Sequence, residues 1–92
     1  MITRLSQLFR SKAQVRLIEH LLTNSERLFN QSALSQFLRV SPTTVARVVK
    51  PLVDEGIVLF ERYDRGMKVF CLNQDNEKTK LLMDFHERLQ RI

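Results

Sequence analysis

The chain has 92 residues, a single cysteine, and 15 Lys and Arg against 10 Asp and Glu, for a net charge of +5 and a pI near 10.0. That length makes one domain with a modest core. The lone cysteine excludes an internal disulfide, and no apolar run is long enough to cross a membrane or act as a secretory signal. The expected location is therefore the cell interior: the cytoplasm, in association with the nucleoid. The basic balance suits a surface that binds phosphate. It is concentrated early: Arg4, Arg10, Lys12 and Arg16 precede the first acid, Glu19.

Ile2, Leu5, Leu8 and Phe9 recur at three- and four-residue steps, which predicts a short amphipathic helix over residues 2–9 within an N-terminal arm, 1–10. Such a helix is too short to stand alone in water and needs a surface to pack on. Ser11 followed by Gln14 has the capping-box pattern, opening a helix to about Thr23 with Val15, Ile18, Leu21 and Leu22 as its buried stripe. His20 is read as structural, since no second His, Cys or carboxylate stands at ligand spacing. Arg27-Leu28-Phe29 is expected to add an edge to a nearby hairpin, with Phe29 reaching the core.

Residues 30–56, NQSALSQFLRVSPTTVARVVKPLVDEG, read as two crossed helices. Asn30 caps the first. Ser41 caps the second, with Pro42 at the position where a missing N–H costs nothing. Leu34, Leu38, Val45, Val49 and Leu52 fall at helical spacing and close the pair, leaving Thr43, Thr44, Arg47 and Lys50 outward. Phe37 is expected to extend the core. Arg39 occupies a tight turn that commonly takes glycine. Pro51 is expected to bend the second helix over its last turn, and Gly56 suits the position just past its end. Two helices with a basic outer face describe a helix-turn-helix, whose second helix reads the major groove.

From Ile57 the period changes to two. Residues 57–62 and 67–72 flank the turn Tyr63-Asp64-Arg65-Gly66, which predicts a β-hairpin. Cys71 lies at a strand position able to face inward. After a polar junction with Asp75 as the expected cap, Leu82, Phe85, Leu89 and Ile92 step by three, four and three. That narrow apolar seam asks for a partner, and a second copy is the simplest.

The runs LFRSKAQVRLIEHLL, SALSQFL and SPTTVARVVKPLVDEGIV resemble the winged helix-turn-helix regulators of bacteria and archaea, close to the arsenic-repressor-like (ArsR) and MarR-like groups. The last run is similar to that family's Ser-Pro-Ser-Thr-Val-Ser-Arg, Leu-Lys and Gly-Leu-Val pattern. The resemblance implies that Tyr63 to Lys68 form the wing, and that the terminal helices hold a homodimer. Ala46 stands where the family commonly has a polar residue. Paired metal ligands of the metal-sensing members are absent: Cys71 is alone, and His20 and His86 are far apart.

The expected fold is thus mainly α with a small β-hairpin, an α+β winged helix-turn-helix with flanking terminal helices. It divides into an arm (1–10), a core (11–73) and a dimerisation helix (74–92). The expected function is sequence-specific binding of double-stranded DNA by a dimeric transcriptional regulator. Arg47 would read a guanine, Thr43 and Thr44 would touch phosphate or a thymine methyl, and Lys50 would hold phosphate. Asn30, Gln31, Ser32 and Ser41 would lie against the backbone, while Arg62, Tyr63, Arg65 and Lys68 of the wing approach the adjacent minor groove. Leu5, Leu8, Phe9, Leu82, Phe85, Leu89 and Ile92 would form the dimer interface. No catalytic residue, metal, cofactor, membrane association or small-molecule effector is expected. The alternative is a winged-helix module that docks proteins or shapes DNA without reading its sequence.

Overall fold

A computed structural model describes residues 9–63 and 66–92. The expected helical arm therefore falls almost wholly outside the described residues, as do Leu5, Leu8 and the wing-tip Arg65.

Helix α1 spans Lys12–Thr23 and is capped by Ser11, whose hydroxyl oxygen accepts the Gln14 N–H at 3.1 Å. Its buried residues are Gln14, Leu17, Ile18 and Leu21, whereas Val15 is exposed and Leu22 half-buried. This corrects the expected stripe. The helix is apolar on two sides: Leu17 and Leu21 enter the main core, while Val15 and Leu22 turn toward the last helix across a groove.

Strand β1, Phe29–Asn30, does add an edge to the hairpin, pairing Phe29 with Phe70 and Asn30 with Val69. Helix α2 (Gln31–Leu38) starts at once, with the Asn30 Oδ1 accepting the Ala33 N–H at 2.7 Å. Its stop is made by Arg39 in the left-handed region, φ 57° and ψ 45°. A non-glycine residue is strained there by roughly 1–2 kcal/mol. The turn is held by the Val40 N–H on the Ser35 carbonyl and by the Ser35 hydroxyl on the Val40 carbonyl. Ser35 is thus used for its hydroxyl as well as for its size.

Helix α3 (Pro42–Asp54) runs continuously through Pro51, and Ser41 caps it by accepting the Thr44 N–H at 3.2 Å. Val45, Val48, Val49 and Leu52 are buried along one face, opposite Leu34 and Leu38 of α2. Gly56 follows at φ +77°, the conformation expected just past a helix end.

Strands β2 (Val58–Arg62) and β3 (Lys68–Leu72) complete an antiparallel sheet of order β1-β3-β2. The register pairs Val58 with Leu72, Phe60 with Phe70 and Arg62 with Lys68 on the face that meets the helices. Leu59 pairs with Cys71 and Glu61 with Val69 on the other face. Cys71 therefore stands outward and half-buried beside Leu59, because the Phe29–Phe70 pairing commits the even positions of β3 to the core.

Helix α4 (Glu77–Gln90) is capped by Asn76, whose Oδ1 accepts the Lys78 and Thr79 N–H groups. Asp75, the expected cap, belongs to the preceding turn, its N–H bonded to Asn73. Among the described residues no helix is long and apolar enough to cross a membrane.

Candidate nucleic-acid interface

The outer line of α3 is built by subtraction. Once Val45, Val48, Val49 and Leu52 are committed to the core, Thr43, Ala46, Arg47 and Lys50 are left in solvent. Arg47 makes no hydrogen bond or ion pair with any described residue, so its guanidinium keeps all its donors for a ligand. Lys50 differs: its Nζ lies 2.9 Å from the Asp54 carboxylate one turn on. Both side chains are largely exposed, so the pair is worth at most about 1 kcal/mol and yields readily to a phosphate. Thr44 is half-buried, its hydroxyl 3.1 Å from that of Ser41.

Helices α2 and α3 present their N-termini side by side. The Gln31 Nε2 donates to the Pro42 carbonyl at 2.8 Å, locking the two starts together. Neither helix has an acid in its first turn, so both positive dipole ends face solvent without compensation. An open groove of about 350 Å³ joins these starts to the wing, lined by Asn30, Gln31, Ser32, Pro42, Gly66, Met67 and Lys68. The fold thus brings Asn30, Gln31, Ser32, Ser41, Thr43 and Lys68 to one side. Arg62 faces Lys68 directly across the strands. Two cations in opposed positions destabilise a sheet slightly, a cost that a bound polyanion removes.

Tyr63 is exposed just past β2. Its phenol donates to Glu61, and this bond chiefly holds its pKa above the ordinary tyrosine value. Glu61 lies on the face of Leu59 and Cys71, away from the helices. The Cys71 thiol is itself pushed up by burial and by Glu61.

Behind the interface stands a cluster that local sequence patterns do not announce. Phe37 is 46% exposed instead of core, and stacks on the His20 ring with centroids 3.7 Å apart. His20 also meets Phe29 at 4.8 Å. The Arg16 guanidinium donates to the Leu38 and Phe37 carbonyls at 3.0 and 3.3 Å, closing the end of α2 from α1. His20 is held below the ordinary histidine pKa by burial and by the Arg27 charge. These partners are brought together only by folding, so no short motif signals them.

On the far side, Phe9, Val15, Ile18, Leu22, Leu82, Phe85 and Leu89 line an apolar cavity of about 490 Å³ between α1 and α4. Of the expected dimer seam, Leu82 packs partly on the core, while Phe85, Leu89 and Ile92 are exposed. Among the described residues there is no group of three or more His, Cys, Asp or Glu placed to hold a metal ion.

No protein-family model matches the sequence, and no curated protein matches it significantly. Solved structures do match in shape. A possible transcriptional regulator from Methanosarcina mazei Go1 superposes with a TM-score of 0.65 at 24% identity, over 92% of this chain and 78% of that one. MepR, a transcription regulator of a Staphylococcus aureus multidrug efflux pump, gives 0.67 at 13% identity, covering 96% and 66%. The heme sensor PefR from Streptococcus agalactiae, solved with heme, gives 0.65 at 19% identity, covering 90% and 58%. The chain thus spans between about half and four fifths of the structures it resembles. With helices α2 and α3 crossed over a three-stranded antiparallel sheet, and with these neighbours, the chain has an α+β winged helix-turn-helix fold similar to theirs.

Proposed function

We propose that the protein is a dimeric transcriptional regulator that binds double-stranded DNA in the cell interior, with α3 in the major groove and the wing beside it. The observation that carries this reading is the solvent-facing line Thr43, Arg47 and Lys50, flanked by Lys68 and by the uncompensated starts of α2 and α3. Arg47 is the base-reading residue, being the unengaged fork-shaped donor of the line. Thr43, Lys50, Arg62, Lys68 and the helix starts hold phosphates, and Arg65, outside the described residues, is assigned to the wing tip. Ala46, exposed between Thr43 and Lys50, offers no hydrogen bond. Each subunit therefore reads few bases, and specificity requires two copies, joined through the Phe85, Leu89 and Ile92 face of α4.

Two observations favour a small-molecule effector, against the expectation of none. PefR, similar in fold, is a heme sensor, and the cavity between α1 and α4 has the volume of a small-molecule site.

Selection of bound sites from random DNA tests the reading. The expected result is an inverted repeat with half-sites roughly 34–36 Å apart, and binding that weakens steeply with salt. No enriched motif removes sequence reading. An absent or salt-insensitive shift favours the second reading, a protein-docking module, for which the exposed Phe37 ring is the specific observation.

A further inference from the structure

The end of α3 and the start of α4 are tied by directional contacts. The Asn73 N–H donates to the Ile57 carbonyl at 2.7 Å and its side-chain amide to the Gly56 carbonyl at 3.0 Å. The Asn76 Nδ2 donates to the Glu55 carbonyl at 3.4 Å while its Oδ1 caps α4. The Lys78 ammonium pairs with the Glu55 carboxylate. Thr79, fully buried, donates to the Ile57 carbonyl at 3.4 Å. Successive carbonyls at the end of the recognition helix, Glu55 to Ile57, are thus taken by side chains or backbone from the start of α4 and the turn before it. The other half of α4 is different: beyond Leu82 and Met83 its apolar residues are exposed or line the cavity.

We propose that Asn76 and Lys78 are positioning residues that fix the angle between α3 and α4 and thereby select the separation of the two DNA half-sites. The inference rests on the dimeric DNA-binding reading above. Its scale follows from helix geometry. Helix α4 has 14 residues and is about 21 Å long, so a swing of about 10° at its start displaces the far end by roughly 4 Å. One base pair rises about 3.4 Å. A joint loose by that angle cannot tell neighbouring spacings apart.

The test uses two variants of the full chain. Asn76→Asp with Lys78→Met keeps an N-cap of equal quality but removes the amide donor and the cation that reach Glu55. Lys78→Met alone leaves the cap untouched and carries the test if the double variant fails to fold. Binding is measured to duplexes holding the selected half-site twice, at the selected separation and at one or two base pairs more or fewer, and to one half-site alone. The wild type is expected to prefer its spacing by about tenfold or more, and the variants by less than about threefold, with single half-site affinity and dimer mass unchanged. Lys78→Arg, which keeps the ion pair, is expected to restore the preference. Variants that discriminate spacing as sharply as the wild type overturn this inference alone. A wild type that binds DNA as a monomer, or is indifferent to spacing, overturns the dimeric reading and this inference with it.

Discussion

Arg47 and Lys50 stand one turn apart on the same outer line, yet their electrostatic situations differ. Arg47 is unengaged, so replacing it with Ala is expected to cost about 1–3 kcal/mol on the selected site and to relax one base position. Competition titrations against singly substituted sites check this, and unchanged preference would remove Arg47 from the base-reading role. Lys50→Ala is expected to weaken all sequences alike and to lower the salt slope by about 0.9 or less, since Asp54 already holds part of the charge. A second residue-scale prediction concerns His20. Burial against Phe29 and Phe37, and the nearby Arg27 charge, lower its folded pKa. The unfolded chain then binds more protons between that lowered value and about 6.5, so stability falls as pH drops through this window. Thermal melts between about pH 7.5 and 5 are expected to show a decline that His20→Gln reduces. An identical decline in the variant would assign it to other groups.

At the scale of elements, the caps at Ser11, Asn30 and Ser41 are legible because each acts within one turn, and the hairpin and the α2–α3 pair because their apolar periods show in the local pattern. Ser11, Asn30, Ser41 and Gly56 all act where their local patterns place them. Val15, Phe37 and Cys71 stand elsewhere than the local pattern predicts for one shared reason. Which side of a helix or strand faces inward depends on partners far along the chain: α4 for Val15, His20 for Phe37, and the Phe29–Phe70 register for Cys71. The two glycines allow a clean test of an element junction. Both have positive φ, Gly56 at +77° and Gly66 at +76°, but an added Cβ at Gly56 would come within 2.7 Å of the Asn76 amide, whereas at Gly66 it meets nothing described within 4 Å. Gly66→Ala is expected to cost about 1–2 kcal/mol through backbone strain alone. Gly56→Ala is expected to cost more, because Asn76 cannot retreat without releasing the α4 cap. Equal losses in denaturant melts would show that Asn76 gives way freely.

At the scale of the whole molecule, the basic line of α3 and the apolar face of α4 lie on different parts of one frame, and the proposed function needs both. Leu89 is 56% exposed, so Leu89→Glu is expected to leave the subunit folded while weakening self-association. Losing roughly 1.5 kcal/mol of burial in each of two copies amounts to about a hundredfold in the dimer constant. Sedimentation equilibrium reads this directly; an unchanged association would move the interface elsewhere.

The sequence by itself determined the element order, the caps at Ser11, Asn30 and Ser41, most of the helix-turn-helix core and the outward placement of Thr43, Arg47 and Lys50, whereas Thr44 is half-buried. These follow from periodicity and from hydrogen bonds between near neighbours, which any chain with this local pattern would form. Only the tertiary structure decided that Gln31 locks the two helix starts together, that Lys68 joins them, and that Asn73, Asn76 and Lys78 tie the last helix to the end of the third. Those contacts join residues 11 to 23 positions apart or more, and the geometry that makes them exists only once the core has set the helices and the sheet against each other.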